Sequence, residues 1–291
     1  MLKTLARMAL AATLVAGVAI PAQAEGKKPV TIGWTAWSDA EFIAKLAAKV
    51  ITDRVGEEVK LIQTDIAPQY QGIAKGDIDA MLMAWLPNTH ADYWKRVGKD
   101  VVTLGVLYTD AKLGWVVPDY VPEDQVKSIA DLKAVADKFD GKIQGIDPGA
   151  GLMKLSEKAL ADYGLDNYKL VSASDAAMVA ALDRAIRKKE WIVVTGWSPH
   201  WMFGGYKLRY LEDPKGSLGG TERVYALSRK GFQADHPEVA KFLMRMHLSN
   251  DELQAAMYDA QKTSYEEAVD KYIKANPQRI HYWVTGEFGG A

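Results

Sequence analysis

Three tryptophans stand where apolar, strand-like segments of this sequence end. Trp37 comes shortly after "VTIGW", Trp85 closes "IDAMLMAW", and Trp197 closes "WIVVTGW". Ligands of open α/β sheets bind beyond the carboxyl ends of strands, so three indoles at such positions could face one cleft. Indole faces attract a quaternary ammonium, whose charge is diffuse and which has no N–H to donate. Aromatic side chains at strand ends also often just pack in the core, so the residue types leave both interpretations open.

Two further features could hold an anion such as a carboxylate. The glycine-rich turn "DPGAGLM" leads from a predicted strand into a predicted helix, so the amides of Gly151 and Leu152 would lie free at a helix N-terminus. His90, in "AWLPNTH", could donate a hydrogen bond to the same anion. The alternatives are a tight turn that binds nothing and a histidine on the surface.

An alternating α/β fold must position these residues. Strand-like runs and helical periodicities alternate from Val30 onward, which predicts parallel strands covered by helices on both faces. The elements predicted are the strands "VTIGW", "VKLIQ", "IDAMLMAW", "KIQGI" (142–146) and "WIVVTGW", a helix with a capping box at Ser38 and Glu41, a helix over 69–75 closed by Gly76, and a late helix with a capping box at Ser249 and Glu252.

The length of the chain favours two lobes. It has 291 residues, 48% of them hydrophobic, which is large for a single core. We expect 25–119 and 216–291 to form one lobe and 120–215 to form an inserted second lobe, with crossings near 118–121 and 213–220. One continuous sheet is the alternative.

The first 24 residues are typical of a secretory signal peptide. Lys3 and Arg7 precede an apolar run over 8–20, and "AQA" provides a cleavage site after Ala24. The run is too short for a stable membrane span, although an uncleaved N-terminal anchor is the alternative. The chain has no Cys, which excludes disulfides and a lipid-bearing cysteine. We therefore expect a protein of a bacterial periplasm without a lipid anchor.

The remaining composition excludes several classes of function. The net charge is -1 and there is no basic block, so nucleic acid is not an expected partner. The five histidines show no metal-ligand spacing, and there is no H-E-x-x-H motif, no thiol nucleophile and no defensible Ser/His/Asp arrangement. The sequence thus predicts no metal, no cofactor and no catalytic site.

Five stretches of the chain, taken in order, carry a resemblance to a known family. They are "IGWTAW", "GDIDAMLMAWLPNTH", "YTDAKLGWVVP", "GKIQGIDPGAGLM" and "IVVTGWSPHWMF" with "LRYLEDPKG". Together they resemble the glycine-betaine-binding proteins of ABC importers, the OpuAC/ProX-like substrate-binding family. The resemblance implies a type II periplasmic binding protein, with two α/β lobes joined by two crossover segments and the ligand in the cleft. It also implies which residues bind the ligand: Trp37, Trp85 and Trp197 around the ammonium, and His90, Gly151 and Leu152 at the carboxylate.

The function implied by the resemblance is that of a receptor and not an enzyme. Such a protein captures a quaternary-ammonium compatible solute, glycine betaine or a close analogue, and delivers it to the permease subunits of an ABC importer in the inner membrane. We expect it to act as a monomer. An extracytoplasmic ligand sensor, or an enzyme on the same fold, is an alternative.

Choline is the alternative ligand. Choline-binding relatives share a "W-x-D" pattern that Trp37-Ser38-Asp39 matches, but choline has no carboxylate for His90 to bind. Trp115 stands where the family usually has an aliphatic residue, and Trp191 where it has Pro. The sequence leaves open whether Trp115 contacts the ligand.

Overall fold

The computed structural model describes residues 28–289, and the predicted signal peptide lies outside this range. Strands and helices alternate through most of it in a mixed α/β fold. Among these residues, no helix combines the length and the apolar character that a bilayer crossing requires.

The nine strands of residues 28–289 join into one hydrogen-bonded sheet. From β1 to β9 they are Val30–Trp34, Val59–Gln63, Ala80–Leu86, Val101–Pro118, Lys142–Gln144, Lys169–Val171, Val194–Ser198, Leu208–Tyr210 and Glu222–Arg229. Their order is β2-β1-β3-β9-β4-β7-β5-β6, and β8 pairs with β4 outside this order.

Helices connect these strands and cover them. From α1 to α11 they are Ser38–Val50, Ile66–Lys75, Ala91–Val97, Gly151–Tyr163, Asp175–Lys188, Met202–Gly205, Phe232–Asp235, Pro237–Arg245, Asn250–Lys262, Tyr265–Ala275 and Pro277–Thr285. A π-helical turn, Ile51–Val55, continues α1, and 3-10 helices span Gly98–Asp100 and Ile129–Phe139.

The parallel strands predicted from the sequence are confirmed. β1 pairs in parallel with β2 and β3, and β5 pairs in parallel with β6 and β7. β3 is buried along its length as far as Trp85, as expected of a central strand covered on both faces. Because parallel strands end at the same edge, the segments that follow β1 and β3 lie side by side.

The antiparallel centre of the sheet differs from the purely parallel arrangement predicted. β9 runs antiparallel between β3 and β4, and β4 is a strand of 18 residues. β4 pairs with β9 as far as Ala111 and with β7 from Lys112 onward. Polar residues and glycines interrupt the apolar residues of β4, so the hydrophobic pattern does not predict this strand. Its pairing with β9 shifts register at three places.

β4 therefore belongs to both lobes. We call β1, β2, β3, β9 and β4 up to Ala111 the first lobe, and β5 to β8 with β4 from Lys112 onward the second lobe. A second hydrophobic cluster draws only on residues within 115–218, whereas the main cluster includes the walls of the cleft. The exact division into 25–119, 120–215 and 216–291 stays a prediction.

Several predicted ends of elements were wrong. α2 begins at Ile66, three residues before Gln69, although it ends at Lys75 as predicted, with Gly76 as its C-cap residue at a φ of 85°. β5 stops at Gln144, and β7 begins only at Val194. The capping box of α9 at Ser249 and Glu252 is confirmed.

The capping box predicted for α1 is wrong. Trp37 is the N-cap residue and no side chain of α1 caps the helix. The buried Oγ of Ser38 has no hydrogen-bond partner within residues 28–289. Instead, the backbone amide of Ser38 donates to Oδ2 of Asp175 at 3.3 Å. The second lobe thus supplies the acceptor that a local side chain was expected to provide.

Candidate ligand-binding site

One cavity in the cleft brings all six predicted site residues together. Its empty space is about 300 Å³ when the part open to solvent is counted. Its walls are formed by Trp37, Asp39, Trp85, Thr89, His90, Leu113, Ile146, Ala150, Gly151, Leu152 and Trp197. Their roles toward a ligand stay a prediction, but their common location is what the strand-exit argument requires.

Trp37 and Trp85 come from neighbouring strand ends of the first lobe. Trp37 is 6% exposed and its indole N–H donates to Oδ2 of Asp147, which follows β5, at 2.9 Å. Trp85 is 3% exposed and its ring meets the ring of Tyr108 edge-on, with 6.0 Å between centroids. Packing on strands β3 and β4 therefore fixes Trp85 within the first lobe, whereas Trp37 is held by a residue of the second.

Trp197 comes from the second lobe, near the end of β7. Its indole N–H donates to Oδ1 of Asp39 at 3.0 Å. The ring of His200 packs edge-on against it at 4.5 Å between centroids. His200 is fully buried and is fixed on both sides, by Asp175 and by the backbone amide of Met202. His200 is therefore a packed residue of the turn, and its packing helps to hold the Trp197 ring.

The turn that carries His90 is held by a buried carboxylate. Glu222, at the start of β9, is 2% exposed. Its Oε2 accepts hydrogen bonds from the backbone amides of Asn88 and Thr89, at 2.7 and 3.0 Å. The hydroxyl of Thr89 also donates to Glu222. This carboxylate fixes the turn after β3 and so sets the position of His90.

His90 is arranged to donate one hydrogen bond into the cavity. It is 1% exposed, and the backbone N–H of Trp85 donates to its Nδ1 at 3.1 Å. Because a backbone N–H can only donate, Nδ1 is an acceptor and a neutral ring carries its proton on Nε2. That Nε2 is buried and has no partner within residues 28–289. Burial lowers the pKa of His90 to about 3, so the ring is neutral at physiological pH.

The neutral state of His90 predicts a specific dependence on pH. Its folded pKa of about 3 lies below its ordinary value of 6.5, so the unfolded chain binds more protons between these two values. The contribution of His90 to stability is therefore complete above about pH 6.5 and is lost as the pH falls toward 3, by at most roughly 1.4 kcal/mol per pH unit. Urea unfolding at about pH 4.5 and at about pH 7 gives the free energy of unfolding of wild-type protein and of His90→Gln. Wild-type protein should lose more of this free energy between the two pH values than His90→Gln does. Equal losses would contradict a buried neutral ring.

The N-terminus of α4 forms the opposite wall. Its N-cap residue is Ala150 and no side chain caps it, so the first-turn amides at Gly151 and Leu152 have no intrahelical acceptor. Gly151 also lies very close to the first lobe, because a Cβ built on it would meet the carbonyl oxygen of Thr89 at 2.0 Å. A side chain at this position would collide with the backbone across the cleft.

Five cavity residues were not predicted as site residues: Asp39, Thr89, Leu113, Ile146 and Ala150. Asp39 had a signal in the "WSD" pattern, and Thr89 and Ala150 stand inside motifs already identified. Leu113 and Ile146 look like any other apolar residue near a strand. Burial raises the pKa of Asp39, while hydrogen bonds from Tyr108 and Trp197 act in the opposite direction.

Trp115 lies away from the cavity. It is fully buried in the cluster within 115–218, and its indole N–H donates to Oγ of Ser156 at 2.9 Å. It is therefore a core residue, which answers the question that the sequence left open. Trp191 packs against Phe139 and is likewise not a cavity residue. Within residues 28–289, no three acidic or histidine side chains are grouped so as to hold a metal ion.

Comparisons with known proteins place this geometry in a family. A curated relative, the glycine betaine/carnitine transport binding protein GbuC of Listeria monocytogenes serotype 1/2a (strain 10403S), is 37% identical over 157 residues. That match covers 53% of this chain and 52% of the relative, so it spans about half the length of each.

Solved structures match over a larger share of the chain. The crystal structure of lactococcal OpuAC, in its closed-liganded conformation with glycine betaine, has a TM-score of 0.83 and 39% identity, and the match covers 89% of this chain and 100% of that one. An ABC-transporter choline binding protein in complex with choline has a TM-score of 0.81 and 27% identity, over 89% and 92%. The family model described as "Substrate binding domain of ABC-type glycine betaine transport system" matches residues 28–275. The chain therefore belongs to the family of extracytoplasmic substrate-binding domains of ABC-type glycine betaine transport systems, with the mixed α/β fold of periplasmic binding proteins.

Proposed function

We propose that this protein captures glycine betaine or a close betaine analogue between its lobes and delivers it to an ABC importer. The proposal rests on the residues that form the walls of one cavity. Three indoles, one unpartnered imidazole Nε2 and the uncapped first turn of α4 line the same space. This set is complementary to a zwitterion with a methylated cation at one end and a carboxylate at the other.

The cationic end of such a ligand would lie among Trp37, Trp85 and Trp197. Each desolvated indole face contributes about 0.5–2 kcal/mol to holding a cation. Two of these rings have their N–H groups occupied by Asp147 and Asp39, so their faces, and not their donors, are left for the ligand.

The carboxylate end would lie between His90 and α4. The Nε2–H of His90 and the amides of Gly151 and Leu152 are donors from opposite lobes. A carboxylate held by both would join the lobes, and this is how binding would favour the closed arrangement. The helix N-terminus adds a favourable field for a negative charge.

Choline remains the alternative ligand because Asp39, the acidic residue of "WSD", lines the cavity. Both of its carboxylate oxygens already accept hydrogen bonds, from Trp197 and from Tyr108. Choline carries one neutral hydroxyl where a betaine carries a carboxylate, so it offers a weaker acceptor to Nε2 of His90 and to the amides of α4. This difference favours a carboxylate-bearing ligand over choline.

A binding panel tests the proposed function. Calorimetry with glycine betaine, proline betaine, carnitine and choline should show at least one carboxylate-bearing ligand binding about tenfold or more tighter than choline, because a charge-assisted hydrogen bond contributes roughly 1.5–3 kcal/mol. Choline binding tighter than every betaine would make the carboxylate roles of His90, Gly151 and Leu152 wrong. Binding of none of the four would sink the proposed function.

The location, the oligomeric state and the partners of the protein are part of the same proposal. We place it in the periplasm, released by cleavage after Ala24 and without a lipid anchor, acting as a monomer beside permease subunits of the inner membrane. Betaine uptake measured in cells with and without this protein separates an importer component from a ligand sensor.

A further inference from the structure

We call the three indoles of Trp37, Trp85 and Trp197 the cage. Two of them are held by carboxylates that come from the opposite lobe. Trp37 belongs to the first lobe and donates to Asp147 of the second, with 2.9 Å between Nε1 and Oδ2. Trp197 belongs to the second lobe and donates to Asp39 of the first, with 3.0 Å between Nε1 and Oδ1. The two hydrogen bonds cross the cleft in opposite senses, so both depend on the lobes being closed.

The bond to Asp39 is deeply buried. Asp39 is 1% exposed and Trp197 is 4% exposed. The other oxygen of Asp39 accepts the hydroxyl of Tyr108 at 2.7 Å, a contact made entirely within the first lobe. Opening of the cleft would therefore leave Asp39 with its Tyr108 contact, but would remove the donor that Trp197 provides.

Trp85 behaves differently from the other two rings. It packs edge-on against Tyr108 of its own lobe, and the hydrogen bond to Nδ1 of His90 ties its backbone to the turn that follows. These contacts position its ring from within the first lobe. One wall of the cage is preformed, whereas the other two rings receive their carboxylate partners only across the cleft.

A third hydrogen bond also joins the two lobes across the cleft. Asp175 of the second lobe accepts the backbone amide of Ser38 at 3.3 Å, and its other oxygen lies 3.0 Å from Nε2 of His200. His200 in turn packs edge-on against Trp197. The N-terminus of α1 is therefore completed by the lobe that carries Trp197.

We propose that Asp39 and Asp147 are positioning residues that orient Trp197 and Trp37 when the lobes close, so that completion of the cage and closure are one event. The inference rests on the proposed function and deepens it. Ligand first meets Trp85 and the donors of one lobe, and the crossed carboxylates then complete the positioning of the remaining two rings over its cation. Loss of these carboxylates should therefore raise the dissociation rate of the ligand and not change its association rate.

Asp147 is the better residue to test, because it is half-buried whereas Asp39 is almost fully enclosed. In stopped-flow tryptophan fluorescence with glycine betaine, Asp147→Ala should raise the dissociation rate by about tenfold, the effect of one charge-assisted hydrogen bond, and change the association rate by less than about threefold. Asp147→Asn keeps a side-chain oxygen that can accept the indole N–H, and should stay within about threefold of wild type. Asp166→Ala, an exposed change in the same lobe, is the control and should match wild type.

A double-mutant cycle separates this role from a merely structural one. Trp37→Phe keeps an aromatic face and removes the N–H that Asp147 accepts. In that background, Asp147→Ala should change the dissociation rate by less than about twofold, because the coupled pair is already broken.

The inference is overturned if Asp147→Ala leaves the dissociation rate unchanged, if its whole effect lies in association, or if it acts equally with and without the indole N–H. In each of those cases binding by the wild-type protein would leave the proposed function standing. A wild-type protein that does not bind glycine betaine or its analogues would overturn the proposed function first, and this inference with it.

Discussion

Gly151→Ala should lower the affinity for betaine by about tenfold to a hundredfold while leaving the ligand-free protein folded. The added Cβ would lie 2.0 Å from the carbonyl oxygen and 2.8 Å from the carbonyl carbon of Thr89, both of them backbone atoms that cannot rotate away. Relief requires the lobes to stay further apart, and overpacking of this kind costs roughly 1–3 kcal/mol. In the open protein the new methyl group has room, and alanine in the first turn of a helix is at least as favourable as glycine.

Gly149→Ala is the matched control for this prediction. It lies in the same turn, and a Cβ on it would have no heavy atom within 4 Å. Calorimetry should give wild-type affinity for Gly149→Ala and a weakened affinity for Gly151→Ala, with similar melting temperatures for both proteins without ligand. Wild-type affinity for Gly151→Ala would show that the ligand-bound lobes do not approach as closely as in this structure.

Trp85→Ala should weaken betaine binding by at least about tenfold. A desolvated cation–π face is worth up to about 2 kcal/mol, and a tenfold change in affinity corresponds to about 1.4 kcal/mol. Trp85 is only 3% exposed and packs on Tyr108, so the same change also lowers the free energy of unfolding by about 3–5 kcal/mol. Affinity must therefore be measured at a temperature where circular dichroism shows the variant to be folded.

A ligand that lacks the cation but keeps the carboxylate separates the cation–π effect from the loss of packing. tert-Butylacetate has the shape of glycine betaine, with carbon in place of the ammonium nitrogen. Wild-type protein should bind glycine betaine more tightly than this analogue, and Trp85→Ala should reduce that preference. Trp191→Ala, which removes an indole outside the cavity, should leave the preference intact. An unchanged preference in Trp85→Ala would remove Trp85 from the cage.

The walls of the site were predictable because their signals are local. Trp37, Trp85 and Trp197 each stand at a strand exit, and parallel strands bring their exits to one edge of the sheet. The same rule predicts that His90 and the turn before α4 lie at this edge. Asp39 was missed as a site residue because an acidic side chain in the first turn of a helix ordinarily serves the helix itself.

The contacts that complete the site were not predictable, since they join distant parts of the chain. Asp175 replaces the cap expected from Ser38 and lies 137 residues from it in sequence. Glu222, which fixes the turn before His90, lies on a strand whose antiparallel pairing with β3 and β4 has no local pattern. The sequence leaves the role of Trp115 open, and only the structure shows that its ring fills the core of the second lobe.

The pairing of β9 between β3 and β4 also constrains the order in which the chain can fold. Val101 pairs with Arg229, and Ala80 with Ser228, so the central ladder of the first lobe joins residues that are far apart in sequence. Contacts of such long range form slowly, because the intervening chain must lose much of its freedom before they can form. During synthesis the first lobe has to wait for β9, whereas the strands of the second lobe that pair with one another are complete before it. A nascent chain that ends before Glu222 therefore lacks the strand that joins β3 to β4.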